Sequence, residues 1–284
     1  VRDPASVFFS FLSVLIVLGL YIFFLADMQV DGIISSLNNI PGFPIDENAV
    51  EAMVNGWLIA GLLAVNTITI PLSILTMKVD DKIKKIGDDF NATPAKRWQL
   101  VMGYIISAWI IGIVTSLLIL ILGELYIVIK GGSILSFGAI LAVLGIVSMS
   151  VILFSGIMYI LVMFLTTATQ VGTANTLVGT LSGFLGGIYV PLGVLGSVGT
   201  FIKIMPLAQV AALLRQIFMK DAIAEVFSGA PASVSADIRT FYGVDIVLGS
   251  HTMTSLELIL LNLGLIVLFY AVAIILYSKL KRKN

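Results

Sequence analysis

Long apolar runs alternate with short polar stretches along the chain, at 7–26, 54–77, 100–129, 134–165, 174–190 and 256–277. Crossing a hydrocarbon core takes about 20 apolar helical residues, so the pattern predicts six transmembrane helices and an all-α polytopic fold. Within the fifth run, Gly179, Gly183 and Gly187 recur every four residues. On a helix they share one face, where the missing side chains admit a neighbouring backbone. Pro191 interrupts the run, and the apolar stretch that follows at 191–202 is too short to span. A broken, re-entrant element is predicted here, because irregular backbone at membrane depth persists only when buried in protein or facing water. Glycine-mediated packing alone is the simpler alternative.

The polar stretches carry their own patterns. The segment 27–51 holds Asp27, Asp31, Asp46, Glu47 and Glu51, with Pro41 and Pro44 breaking any continuous helix. It reads as a small acidic cap. The segment 203–254 is the largest polar stretch and contains short helical pieces such as 207–218. Thr254 followed by Glu257 is a capping-box pattern that starts the last helix near Ser255. Between the second and third runs, Val79, Ile83, Ile86 and Phe90 fall on one face of a predicted helix, with Asp80/Lys84 and Asp81/Lys85 as acid-before-base pairs four apart. Such a helix can lie on a membrane surface or offer its apolar side to a partner. Asn91 to Pro94 then break it.

Charge fixes the predicted orientation. With the N-terminus inside, 11 of the 16 Lys and Arg residues face the cytoplasm, including the cluster at 78–97 and the four basic residues at 279–283. Both termini are therefore expected in the cytoplasm, with 27–51 and 203–254 outside. The uncharged stretch at 166–175 reads as the loop between the fourth and fifth spans.

Hydrophobic residues make up 59% of the chain and charged residues 11%, more apolar surface than a soluble core absorbs. This is the composition of an integral membrane protein, and 1–284 is expected to form a single membrane domain. Cysteine is absent, which excludes a disulfide framework and a thiolate metal site. The start at Val1 without Met suggests a trimmed N-terminus.

Catalytic chemistry finds little support. No G-x-x-x-x-G-K-[ST] phosphate loop occurs, so ATP and its magnesium are expected on another chain, and no cofactor on this one. His251 is the only histidine and reads as a surface residue. The acids cluster in loops without a nucleophile and base placed together, and no nucleic-acid partner is expected. Polar residues inside the spans are the remaining candidates. Asn66, Thr67, Thr69 and Pro71 either bond neighbouring helices or line water. Glu124 is a carboxylate within the third run, and therefore a functional candidate unless it reaches the headgroups or pairs with Lys130. Ser148, Ser150 and Ser155 are weaker signals.

Several local sequences, taken in order, resemble the type-2 ABC transporter permeases. They are Arg2-Asp3-Pro4 before the first run, Thr93-Pro94-Ala95-Lys96-Arg97 before the third, and the stretch from Leu181 through Gly183, Gly187 and Pro191 to Leu192. Met205-Pro206-Leu207 and Leu214-Arg215 follow. The resemblance covers essentially the whole chain, and its members are mostly bacterial exporters of drugs, antibiotics, peptides or polysaccharides. It implies a non-enzymatic subunit of the cell membrane, a dimer with a second permease chain, and a separate ATPase docked on the loop that holds Val79, Ile83, Ile86 and Phe90. It also implies re-entrant helices after the fifth span. Asn66, Thr67, Glu124, Gly179, Gly183, Gly187 and Pro191 are then candidates for pathway or packing. The cargo is expected to be amphiphilic, since the spans offer almost no charge for ion coordination. A secondary transporter and a non-transporting scaffold or sensor are the alternatives, the first without an evident internal repeat.

Overall fold

The computed structural model describes residues 19, 26–38, 45–83, 97–130 and 132–283. Nearly all of the first apolar run lies outside them, as do Ile86, Phe90, Pro41, Pro44 and the Thr93–Arg97 motif up to Lys96. The described chain is built from α1 (Ala26–Asn38), α2 (Glu47–Ile83), α3 (Arg97–Ile129), α4 (Phe137–Met163) and α5 (Ala168–Leu185), then a 3-10 turn (Leu192–Leu195) and α6 (Gly196–Ile202). These are followed by α7 (Pro206–Phe218), α8 (Lys220–Val226), α9 (Ala232–Phe241), a two-residue hairpin of β1 (Val247–Leu248) with β2 (His251–Thr252), and α10 (Ser255–Lys283). The hairpin pairs Val247 with Thr252 and Leu248 with His251, a small departure from an all-helical chain.

Helix α2 is the axis of the bundle. It packs against α1, α3, α4, α5, α7 and α8, and its most apolar window is 83% buried. Among the described residues, four helices, α2, α3, α4 and α10, are long and apolar enough to cross a membrane. Helix α2 keeps its course through Pro71, which removes one backbone hydrogen bond without ending it. At Gly56 it comes close to the end of α7: a methyl group built there would lie 2.8 Å from the backbone oxygen of Phe218. Close approach of two helix backbones through glycine therefore falls in α2.

The fifth helix differs from the sequence expectation at both ends. It runs from Ala168 to Leu185, whereas the apolar run is 174–190. Thr167 and Gln170 form a capping box that starts the helix within the stretch expected to be a loop. At the other end the amide of Ile188 donates to the carbonyl of Gly183 (2.8 Å) and that of Gly187 to Phe184 (3.0 Å). This is a Schellman termination, with Gly187 supplying the left-handed residue at φ 65°. Gly187 thus lies past the helix end and cannot share a face with Gly179 and Gly183. Among the described residues, nothing outside its own helix backbone and its chain neighbours lies within 4 Å of a methyl group built on Gly179, and the Tyr189 ring folds over Gly183. Among the described residues, the glycine ladder meets no neighbouring helix backbone.

The capping box at Thr254 is present as expected: Glu257 accepts from the Thr254 amide (2.7 Å), and the Glu257 amide donates to the Thr254 hydroxyl (3.3 Å). It opens α10, whose most apolar window is only 17% buried.

Candidate functional site

Helix α5 presents three faces. Val171, Ala174 and Ser182 are buried against the bundle. Leu177, Leu181 and Phe184 form an exposed apolar flank. Thr169, Thr173, Thr176 and Thr180, spaced four, three and four apart, form an exposed uncharged stripe. The Thr173 and Thr176 hydroxyls donate to the carbonyls of Thr169 and Gly172, both at 3.0 Å. Each hydroxyl proton is used inside the helix, so each oxygen is left to accept a hydrogen bond from outside. Asn175 is exposed on the same helix. Such a stripe is costly against lipid tails and suits water, a polar cargo or a second helix.

The break at the end of α5 is organised around Arg215. This side chain on α7 is fully buried, and its Nη2 donates to the carbonyls of Gly186 (2.7 Å) and Gly187 (2.9 Å). Its guanidinium lies 5.3 Å from the centre of the Trp57 ring on α2. Trp57 in turn donates through Nε1 to the Tyr242 carbonyl (3.1 Å) and packs edge-on against the Tyr242 ring. Burial pulls the Arg215 pKa down to about 9, which leaves it charged at neutral pH. It belongs to no ion pair among the described residues. Beyond the break, Pro191 is extended (φ −56°, ψ 145°) and leads into the 3-10 turn and α6. Val194, Val198 and Phe201 of this short pair are exposed.

The other sequence candidates fall elsewhere. Asn66 lies between α2 and α3 and donates to the hydroxyls of Thr115 (3.0 Å) and Ser116 (2.8 Å). Thr67 is buried and donates to Ala64 of its own helix (2.6 Å). Asn66 thus bonds a neighbouring helix, whereas the Thr67 hydroxyl is satisfied within α2. Glu124 does not pair with Lys130; its Oε2 accepts the Leu135 amide (2.9 Å), and Lys130 pairs instead with Glu51 (2.7 Å). Glu124 thereby fastens the link between α3 and α4. Val79 and Ile83 are not part of a separate helix: they form the last turns of α2, with Val79 buried and Ile83 exposed. Around them, Tyr104 of α3 donates to Asp81 (2.7 Å), and Lys78 donates to the Tyr159 hydroxyl of α4 (3.3 Å) and stacks on its ring. His251 is exposed and contacts Glu257.

Three features escaped the sequence reading. The threonine stripe was hidden because polar composition disguised the first half of α5 as a loop, although Thr167-x-x-Gln170 marks its start. Arg215 stands out only as a cation inside the apolar run of α7, and its partners are backbone carbonyls distant in sequence. The Asp81–Tyr104 bond joins residues on opposite sides of a loop and has no local signature.

A bundle of long apolar helices around a buried central one, with a polar-faced helix that ends in an internally capped break, defines a multi-pass membrane protein with a structured interruption in its helical layer. The family model described as ABC-2 family transporter protein matches residues 28–279, and the chain belongs to that family. It is a membrane subunit of an ABC transporter, a transport component that works with an ATPase partner. No curated protein and no solved structure matches the chain. Family membership supersedes the secondary-transporter and scaffold alternatives.

Proposed function

We propose that the chain is the permease of an ATP-driven exporter in the cell membrane, and that the threonine stripe of α5 lines the route of an amphiphilic cargo. The observation that carries this reading is the exposed, uncharged, acceptor-rich face at Thr169, Thr173, Thr176 and Thr180. An apolar flank beside that stripe suits a molecule with both kinds of surface. The absence of charge on it argues against a free ion.

In this reading 1–284 is one membrane domain of six spans, the first in 7–26 and the fifth α5, with both termini cytoplasmic. A second permease chain, identical or similar, supplies the opposite wall. Segment 191–202 dips into the outer leaflet as a re-entrant pair, and 203–254 caps the outer side. ATP and magnesium reside in separate ATPase subunits, which dock on the segment containing Val79, Ile83, Ile86 and Phe90. ATP binding closes the ATPase pair and biases the permease toward one of two states through contacts that differ between them.

The decisive experiment expresses the chain with its ATPase and measures efflux of a panel of amphiphilic dyes and peptide antibiotics. Efflux of at least one member that requires both ATP hydrolysis and the threonine stripe is expected. Retained efflux in a Thr173→Leu, Thr176→Leu variant would reject the stripe as the route. Loss of ATPase co-purification in Ile83→Asp, Ile86→Asp, with normal membrane insertion, is the expected sign of the docking site.

A further inference from the structure

We propose that Arg215 is a positioning residue that pins the end of α5 to α7 and α2, so that the polar-faced helix and the segment beyond it move as one body during transport. The last carbonyls of any helix lack intrahelical donors and carry the negative end of its dipole. The Schellman bonds use the carbonyls of Gly183 and Phe184, and Arg215 takes those of Gly186 and Gly187. A single cation therefore holds the two carbonyls that follow α5 from a different helix.

A fully buried guanidinium is expensive unless its surroundings repay it. Here they consist of two carbonyls, an aromatic ring and close-fitting glycines. A methyl group on Gly187 would come within 3.2 Å of Nη2, and one on Gly243 within 3.0 Å of Nη1. Those two sides are closed by backbone, yet Nε and Nη1 have no hydrogen-bond partner among the described residues, so the two carbonyls and the ring offset the burial only in part. An apolar side chain would fill the volume more cheaply but would hold no carbonyls. What the charge accomplishes is to join four elements: α5 through the two carbonyls just past its last residue, α7 through its own backbone, α2 through Trp57, and the end of α9 through the Trp57–Tyr242 bond. A break that could have been a hinge is thereby made rigid, and bending is left to the short Phe164–Thr167 link before α5.

The pin can be tested on the purified full chain by hydrogen exchange. Arg215→Met keeps the bulk and loses the charge; Arg215→Lys keeps the charge and loses the fork. The expected result is exchange at Gly187 and Ile188 faster by about tenfold or more in Arg215→Met, partly restored in Arg215→Lys, with α3 and α4 unchanged. Unchanged local exchange, or an equal acceleration across α3 and α4, overturns the pin. The coupled motion rests on the transport reading above and has its own readout: maleimide labelling of Val194→Cys in the assembled complex, with and without ATP. Dependence on ATP that Arg215→Met abolishes while hydrolysis continues supports it, and dependence that survives Arg215→Met overturns it. Labelling indifferent to ATP even with Arg215 in place counts against the transport reading itself, and with it the coupled motion, while leaving the exchange result to judge the pin.

Discussion

Helices α2 and α5 both carry polar side chains within the bundle and dispose of them in opposite ways. In α2, Asn66, Thr67 and Thr76 are buried, and each is bonded to a neighbouring helix or to its own backbone. In α5, Thr169, Thr173, Thr176 and Thr180 face outward. A buried polar group bonded within the chain is a static fastening, worth on the order of 1 kcal/mol. An outward polar stripe on a helix of a membrane protein is unfinished until water, cargo or another chain meets it. The same contrast holds for glycine: Gly56 of α2 lets another backbone in, whereas Gly179 of α5 meets no other element among the described residues.

Breaking the close approach in α2 should have the largest effect. Gly56→Leu drives a side chain into the Phe218 backbone and is expected to cost ~1–3 kcal/mol or more, visible as a lowered thermal midpoint of the detergent-solubilised chain. Gly179→Leu should leave that midpoint unchanged; an equal drop would erase the distinction between the two helices. Next in size, Asn66→Leu removes the bonds to Thr115 and Ser116 and should cost about 1 kcal/mol. Asn175→Leu should cost the isolated chain nothing, and any loss it causes should surface in dimer assembly or efflux.

The smallest expected effect concerns the start of α2, where Glu51 pairs with Lys130. Its hydrogen bond to Glu51, and the charge of that carboxylate, hold the Lys130 ammonium above the ordinary lysine pKa. Because the folded-state value is the raised one, the contribution is complete below the ordinary value of ~10.4 and fades as pH climbs through the folded value. Solvent exposure limits it to ~0.5 kcal/mol. Glu51→Gln should remove this fraction at neutral pH and leave stability flatter above about pH 10; an unchanged alkaline profile would show that the pair contributes nothing.

Much of the fold was legible because bulk hydropathy announces it. Helices α2, α3, α4 and α10 coincide with apolar runs, and Thr254 with Glu257 marks where α10 begins. The broken region was legible as a break, from Pro191 and the short run after it, but not in its workings. Spacing alone cannot tell a packing glycine from a terminating one: Gly187 reads as the third rung of a ladder until the amide of Ile188 is seen to reach Gly183. Helix α5 was shifted because threonines that face outward lower hydropathy in the manner of a loop. The Val79–Ile83 half of the predicted docking stripe proved to be the end of α2, since periodicity does not reveal whether a helix is new or continued. Arg215 was marked by the family resemblance, but its role was out of reach, because a side chain that binds backbone carbonyls leaves no partner residue to recognise.

The chain has no cysteine, so single cysteines report without background. The most direct measurement places them one at a time at Thr173, Thr176, Thr180, Leu177 and Leu181 in the assembled complex and follows reaction with a membrane-impermeant thiol reagent. The account predicts rapid labelling at the three threonine positions and slower labelling at the two leucine positions of the apolar flank, with rates at the threonines shifting when ATP is added. Protection of all five positions, or labelling of the leucines as fast as the threonines, would contradict a polar route along α5.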